Sequence, residues 1–349
     1  MKVNNVLRVE KDFLKVVDAA IAGHTQVPRN KALWLIDRVL EHGITPYELE
    51  GFDGAFQAHH DRFDPLAEAR LAGFIRRAPK ILTPDVPSPV VKHGKVVDPG
   101  VDSEDLHTAS YQPTSGAVIG PGGVKPTDPE QGNEGDCGLI SSLSAVASVN
   151  PQRIADLFKV NAAGNLEVRF YERSGKKWKR VAVEIDGDLP KKDGKLVYAS
   201  TATKGSNWVS LIEKAFAKQR GGYEHLYAMY PETVLEALLG HENRTIPVNL
   251  LSPEQAYQRL STWLEKKCAI VASSSPKGQS DGKPLANIVE DHAYALLRVY
   301  EQDGVQMVEL RNPWGSFEPG SDGKDDGIFS LTIPQFLANY LSIDVTPTA

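Results

Sequence analysis

The chain has 349 residues, 41% of them hydrophobic and 24% charged, with a net charge of −6; at ~150 residues per folding unit this means two or three units with ample apolar material for a core. It carries no basic stripe and no long run of one charge sign, which excludes the usual footprint of a nucleic-acid partner and of a polybasic membrane anchor. No apolar stretch approaches the ~20 residues of a membrane-spanning helix, and Met1 to Val17 lacks the charged-then-apolar order of a secretory signal, so the expected location is cytoplasmic, although export by a signal-independent route would leave no mark.

Residues 6 to about 78 carry apolar side chains at helical spacing: Leu7, Phe13, Leu14, Val17 and Ile21, then Leu33, Leu35, Ile36, Val39 and Leu40 behind a capping Asn30. Thr45-Pro46 and Asp64-Pro65 read as two further helix starts. The expectation is a small all-α domain over 1–78. Residues 79–127 change character, with Pro84, Pro87, Pro89, Pro99, Pro113, Pro121 and Pro126 and little periodicity. They read as a Pro/Gly-rich linker, or as extended chain lying on another domain.

From 128 the pattern is mixed. A helix is expected after Cys137, with Leu139, Ile140, Leu143, Val146 and Ala147 on one face. Strands at 165–171 and 178–185 flank a turn at Ser174-Gly175, and Lys192 to Lys195 form another turn. Helices are expected from Trp208 to Lys218, over 231–239 with Gly240 closing it, and over 253–265. Strands follow near 268–273, 293–300 and 305–311, so the class is α+β with a helical front half and a sheet-rich back half.

Only two cysteines are present, Cys137 and Cys268. They make no disulfide framework, and without a His cluster they make no zinc site. Cys137 follows Gln131-Gly132-Asn133-Glu134-Gly135-Asp136 and opens an apolar-striped helix. Unpaired N–H groups and the positive end of the helix dipole favour a thiolate there. Taken alone, the segment fits a small buried core residue equally well.

A strand begins at His292, turns at Gln302-Asp303-Gly304 and returns over Val305–Arg311 to Asn312-Pro313-Trp314-Gly315. A turn centred near 302 and 303 sets His292 opposite position 313, beside Asn312. The two polar side chains then meet at one end of a hairpin, which supplies what a Cys–His pair needs: a third group fixing the imidazole tautomer. Separately, His292 fits a half-buried strand residue and Asn312 a turn residue before proline.

These segments, with Leu189–Val197, Trp208–Tyr223 and Asp326–Leu337, resemble the catalytic core of the calpain family over roughly residues 128 to 343. The resemblance implies a papain-like, two-lobed cysteine protease core: a Cys-bearing helical lobe at 128–240 and a His/Asn-bearing, sheet-rich lobe at 241–349. It implies a cysteine endopeptidase acting on a protein or peptide substrate, with Cys137 as nucleophile, His292 as base and acid, Asn312 as orienter, Gln131 in the oxyanion hole and Trp314 beside the His–Asn pair. The N-terminal helical domain would then be a regulatory or partner-docking segment, or packing support. No cofactor is required.

Two departures from the family pattern stand out. Gly138 replaces the tryptophan that usually follows the nucleophile, which is expected to widen or loosen the cleft floor. The family's two calcium sites are incomplete. Asp128, Glu318 and Asp326 match candidate calcium ligands, but Asn207 and Ile328 stand where acids are usual, and calcium wants six to eight oxygens. Two other readings of the chain are an inactive peptide-binding module of the same fold and a Cys–His acyl transferase of transglutaminase or amidase type.

Overall fold

The structure is a computed structural model that describes residues 96–102, 105, 108–161, 165–175, 177–248, 251–275, 285, 287–320 and 323–347, together with Phe56, Gln57 and Phe63. The chain divides into two units, Met1–Asp85 with Pro276–Gln279, and Val86–Ser275 with Ser280–Ala349. In the first, Phe56 and Phe63 are buried with ring centroids 5.6 Å apart. The helices expected over 6–78 otherwise lie outside the described residues, as does 79–95.

In chain order the second unit runs β1 (Ser110–Pro113), β2 (Pro129–Glu130), α1 (Cys137–Val149), α2 (Pro151–Ala155), β3 (Phe158–Val160), β4 (Leu166–Ser174), β5 (Lys177–Ile185), β6 (Asp188–Lys192), β7 (Lys195–Leu196) and β8 (Ser200–Thr201). It continues with α3 (Trp208–Arg220), a 3-10 turn (Tyr223–Leu226), α4 (Pro231–Leu239), β9 (Arg244–Pro247), α5 (Pro253–Glu265), β10 (Ile270–Ser274), β11 (Ala293–Gln302), β12 (Val305–Arg311), β13 (Ile328–Thr332), α6 (Ile333–Asn339) and β14 (Tyr340–Val345). Helix and sheet are mixed throughout, an α+β arrangement.

Two apolar cores form. One gathers α1, α3 and α4 with the β3-β4-β5 sheet, through Leu139, Leu143, Phe170, Trp208, Phe216 and Leu235 among others. The second lies on the six-stranded sheet, ordered β13-β12-β11-β10-β14-β9, and is covered by α5 and α6. Local signals explain these elements. Ser252 with Gln255 and Thr332 with Gln335 form capping boxes that start α5 and α6. Gly240 ends α4 in the left-handed region, at φ 75°. Residues 110–113 of the Pro/Gly-rich stretch are extended and pair with 188–191.

Three features differ from the sequence expectation. Helix α1 is buried well beyond one stripe: Gly138, Ser141, Ser142 and Ser144 are as buried as Leu139 and Leu143. The small hydroxyls let other chain approach on every side and bond to carbonyls, Ser144 Oγ to Pro126 O among them (2.7 Å). The β11–β12 turn is the two-residue Asp303-Gly304, with both φ positive (51° and 75°). Gln302 therefore pairs with Val305, and a bulge between Leu296 and Arg298 takes back one position. Ala295 ends opposite Arg311, where the sequence register puts residue 310. Finally, β9 and β14 were not anticipated. Tyr340–Val345 is buried at all six positions and follows α6 with no Gly or Pro between them; Arg244–Pro247 is an edge strand containing a proline.

Candidate active site

Strand pairing brings His292 and Asn312 together. Ser274, the last residue of β10, holds the backbone of His292 twice: its N–H donates to His292 O (2.9 Å), and its Oγ accepts from His292 N (3.0 Å). Asn312 is completely buried, and each of its polar groups has a partner. Its backbone N–H donates to Gly327 O (2.8 Å) and its carbonyl accepts from Gly315 N (3.0 Å). Its Nδ2 donates to Phe317 O (2.9 Å), while Oδ1 accepts the backbone N–H of Trp314 (3.2 Å).

Those last two bonds fix which way the amide points, and so determine the tautomer of the ring beside it. His292 Nε2 lies 3.0 Å from Asn312 Oδ1. Because Oδ1 only accepts, Nε2 carries the proton and donates it. The lone pair of the neutral ring is then left on Nδ1, the atom free to take a proton from a partner. Tyr294 packs edge-on against the imidazole and Trp314 lies tilted over it, each with centroids 5.0 Å away. This burial pushes the His292 pKa down to about 4, with the Asn312 bond and nearby Asp291 acting weakly in the other direction.

Cys137 is the first residue of α1 and is half-buried. The helix packs on β11, and the link is specific: Ser141, one turn beyond Cys137, donates its hydroxyl to the carbonyl of Ala293 (2.9 Å), the residue after His292. Cys137 also sits near enough to Tyr294 to act on its phenol, whose pKa is raised chiefly by burial. The positive end of α1 is left uncapped, because Asp136 at the N-cap makes no side-chain capping bond.

Gln131 joins the site through its main chain, its N–H donating to Pro313 O (2.8 Å). Its amide folds over its own loop: Nε2 donates to Glu134 O (2.6 Å), and Oε1 is buried without a partner. Arg311, just before Asn312, is 2% exposed. Its guanidinium reaches the stretch before Gln131, donating to Thr127 O (3.0 Å), Pro129 O (2.7 Å) and Ser144 Oγ (3.2 Å). Arg311 and Ser141 are links between the site's segments that sequence reasoning passed over. An arginine at the inward end of a buried strand was the available signal for the first; nothing in the pattern of α1 marked the second.

Gly138 does not leave a widened floor. A Cβ there would stand 2.0 Å from Met229 O and 3.4 Å from Pro231 Cδ, so the chain at 229–231 already fills the space beside the helix. The expected loosening is therefore corrected: position 138 has no room for a side chain.

The implied calcium ligands fit poorly. Both oxygens of Asp128 are taken by protein donors: Oδ1 by Thr203 Oγ1 (2.5 Å), and Oδ2 by Lys125 N (3.0 Å) and Trp208 Nε1 (2.9 Å). Asn207 spends its amide on Ser115 O and Ala117 O. In the second loop Asp325 and Asp326 accept the N–H groups of Phe317 (2.6 Å) and Ile328 (3.1 Å), and Glu318 is buried. Among the described residues no group of three or more His, Cys, Asp or Glu side chains is placed to hold a metal ion. Nor is any described helix long and apolar enough to cross a membrane.

Comparison with known proteins converges on one family. A model of the calpain family cysteine proteases matches residues 111–325. The calpain-type cysteine protease DEK1 of Arabidopsis thaliana is 30% identical over 204 residues, 56% of this chain and 9% of that protein. The calpain-2 catalytic subunit of Bos taurus is 30% identical over 260 residues, 64% of this chain and 36% of that one; its human counterpart is 29% identical over the same length. The chain thus spans about a tenth to a third of these relatives. With a family model covering more than half its length and His292, Asn312 and the Cys137 helix assembled within that span, the chain belongs to the calpain family of cysteine proteases.

Proposed function

We propose that the chain is a cysteine endopeptidase whose nucleophile is Cys137. The observation that carries this reading is the His292–Asn312 pair, whose tautomer is set by the donors around Asn312 and leaves Nδ1 as the basic atom. Nδ1 takes the proton of the Cys137 thiol, and the positive end of α1 favours the resulting thiolate. The thiolate attacks the scissile carbonyl. The oxyanion is met by the backbone N–H of Cys137 and by Gln131, whose Nε2 keeps a second hydrogen beyond the one given to Glu134. His292 returns the proton to the leaving amine, then draws one from the water that hydrolyses the thioacyl-enzyme. Trp314, 39% exposed over the ring, keeps bulk water from the His292–Asn312 bond.

Two apolar cores, one holding Cys137 and the other the His292–Asn312 hairpin, support a papain-like two-lobed arrangement with substrate bound between the lobes and a boundary near residue 240. With both oxygens of Asp128 already accepting from protein donors and Asn207 and Ile328 in place of acids, our reading is that the core works without calcium. The segment 1–78 docks a partner or regulates the core, and the Pro/Gly-rich stretch leads from it into the paired strand at 110–113. The test compares wild type with Cys137→Ala on casein, with and without a calcium chelator. Cleavage only by wild type, unchanged on chelation, is expected; equal residual cleavage by both sinks the protease reading, and loss on chelation sinks calcium independence.

A further inference from the structure

Asp136, the residue before Cys137, is completely buried, and neither of its carboxyl oxygens has a hydrogen-bond donor among the described residues. Its carboxyl is in contact with that of Glu213 on α3, which is 1% exposed. Glu213 has one donor, the backbone N–H of Ala199, shared between its two oxygens (3.1 and 3.0 Å). Two carboxylates cannot bond to each other, because both only accept; two carboxyls with one proton can. Among the described residues the groups acting on the pair are acids, a thiol and phenols; Lys214, over the Tyr111 ring, is held by Asp98 and Asp186. Glu134 and the Cys137 thiol act on it from the loop and from α1, and the phenols of Tyr223 and Tyr111 face it from the 3-10 turn and β1.

We infer that Asp136 and Glu213 share one proton, and that this bond anchors the Cys137 loop to α3 while keeping the helix N-terminus free for the Cys137 sulfur. An aspartate at the N-cap ordinarily bonds to the helix N–H groups and takes the stabilisation of the dipole for itself. Asp136 does neither. Turned inward and bonded to Glu213, it does not compete with the thiolate for that field. Asp136 and Glu213 are thus positioning residues; the inference rests on Cys137 being the nucleophile, while the shared proton itself is testable without catalysis. Burial first, then Glu134 and the Cys137 thiol for Asp136 and the Asp136 carboxyl for Glu213, raises both carboxyls well above their ordinary range, with the bond from Glu213 acting in the other direction on Asp136. The folded state therefore binds a proton that the unfolded chain gives up near pH 4, and the wild type loses stability as pH rises above that value.

Glu213→Gln keeps the bond, since the amide donates to Asp136 and accepts from Ala199, but holds no titrating proton. The full chain and this variant are melted from about pH 5 to about pH 8, the window above the unfolded carboxyl pKa. The Tm of Glu213→Gln relative to wild type is expected to climb steadily across that range, and its Cys137 to be alkylated by iodoacetamide at pH 8 at least as fast as wild type, read by peptide mass spectrometry. A Tm difference that is constant or shrinks with pH overturns the inference. So does alkylation slowed in the variant. Should Glu213→Gln not fold, Asp136→Asn carries the same comparison. Absence of peptide cleavage by the wild type would refute the protease reading and leave the melting comparison standing.

Discussion

His292 is held neutral by its surroundings rather than by its own chemistry. Two aromatic rings and burial hold its pKa near 4, whereas in the unfolded chain it titrates near 6.5. Below that pH the unfolded state binds a proton the folded state refuses, so stability present at neutral pH is lost as pH falls from about 6.5 to about 4, by roughly 3 kcal/mol in all. His292→Ala should flatten this acid slope in urea midpoints measured across the window; an unchanged slope would place the acid sensitivity elsewhere. The sign is opposite to that of Asp136 and Glu213, whose shared proton makes the wild type lose stability toward alkaline pH. Between about pH 4 and 6.5 the two contributions oppose each other, so the His292 slope is read as the difference between His292→Ala and wild type.

Helix α1 shows how much an element hides from its sequence. Its start and the cysteine at its head are legible, because Gly135-Asp136 precedes apolar residues at helical spacing. The hairpin that joins His292 to Asn312 is legible in outline for the same reason: alternation and an Asp-Gly turn. The bulge near Leu297 is not, because it depends on how β11 fits between β10 and β12. Nor is the environment of Gly138, which is set by Met229 and Pro231 nearly a hundred residues away. A substitution decides between a widened floor and a filled one. Gly138→Ala places a methyl 2.0 Å from Met229 O, and the backbone shift this forces should cost about 1–3 kcal/mol, read as a lowered urea midpoint. A neutral or stabilising alanine, as helix propensity alone would give, would show the space is open.

Across the whole described unit, α1 packs on the apolar faces of β10 and β11, and Arg311 adds three polar bonds between the end of β12 and the chain around α1. Arg311→Met removes the donors to Thr127 O and Pro129 O and leaves the Pro129 carbonyl buried without one; a loss of about 2 kcal/mol in chemical denaturation is expected. A loss under about 1 kcal/mol would mean the loop finds other donors. The class of the molecule and the order of its motifs could be read from the chain, but this clamp could not, since two of its three partners are main-chain carbonyls that carry no sequence mark. It also spans 182 residues from Pro129 to Arg311, which has a consequence during synthesis. At about 5–20 residues per second, the ribosome releases Cys137 roughly 10–30 s before His292 and Asn312. Throughout that interval the nascent polypeptide exposes the Cys137 segment without the His292–Asn312 hairpin or the Arg311 clamp, so on the proposed mechanism the thiol meets its base only when the last strands emerge.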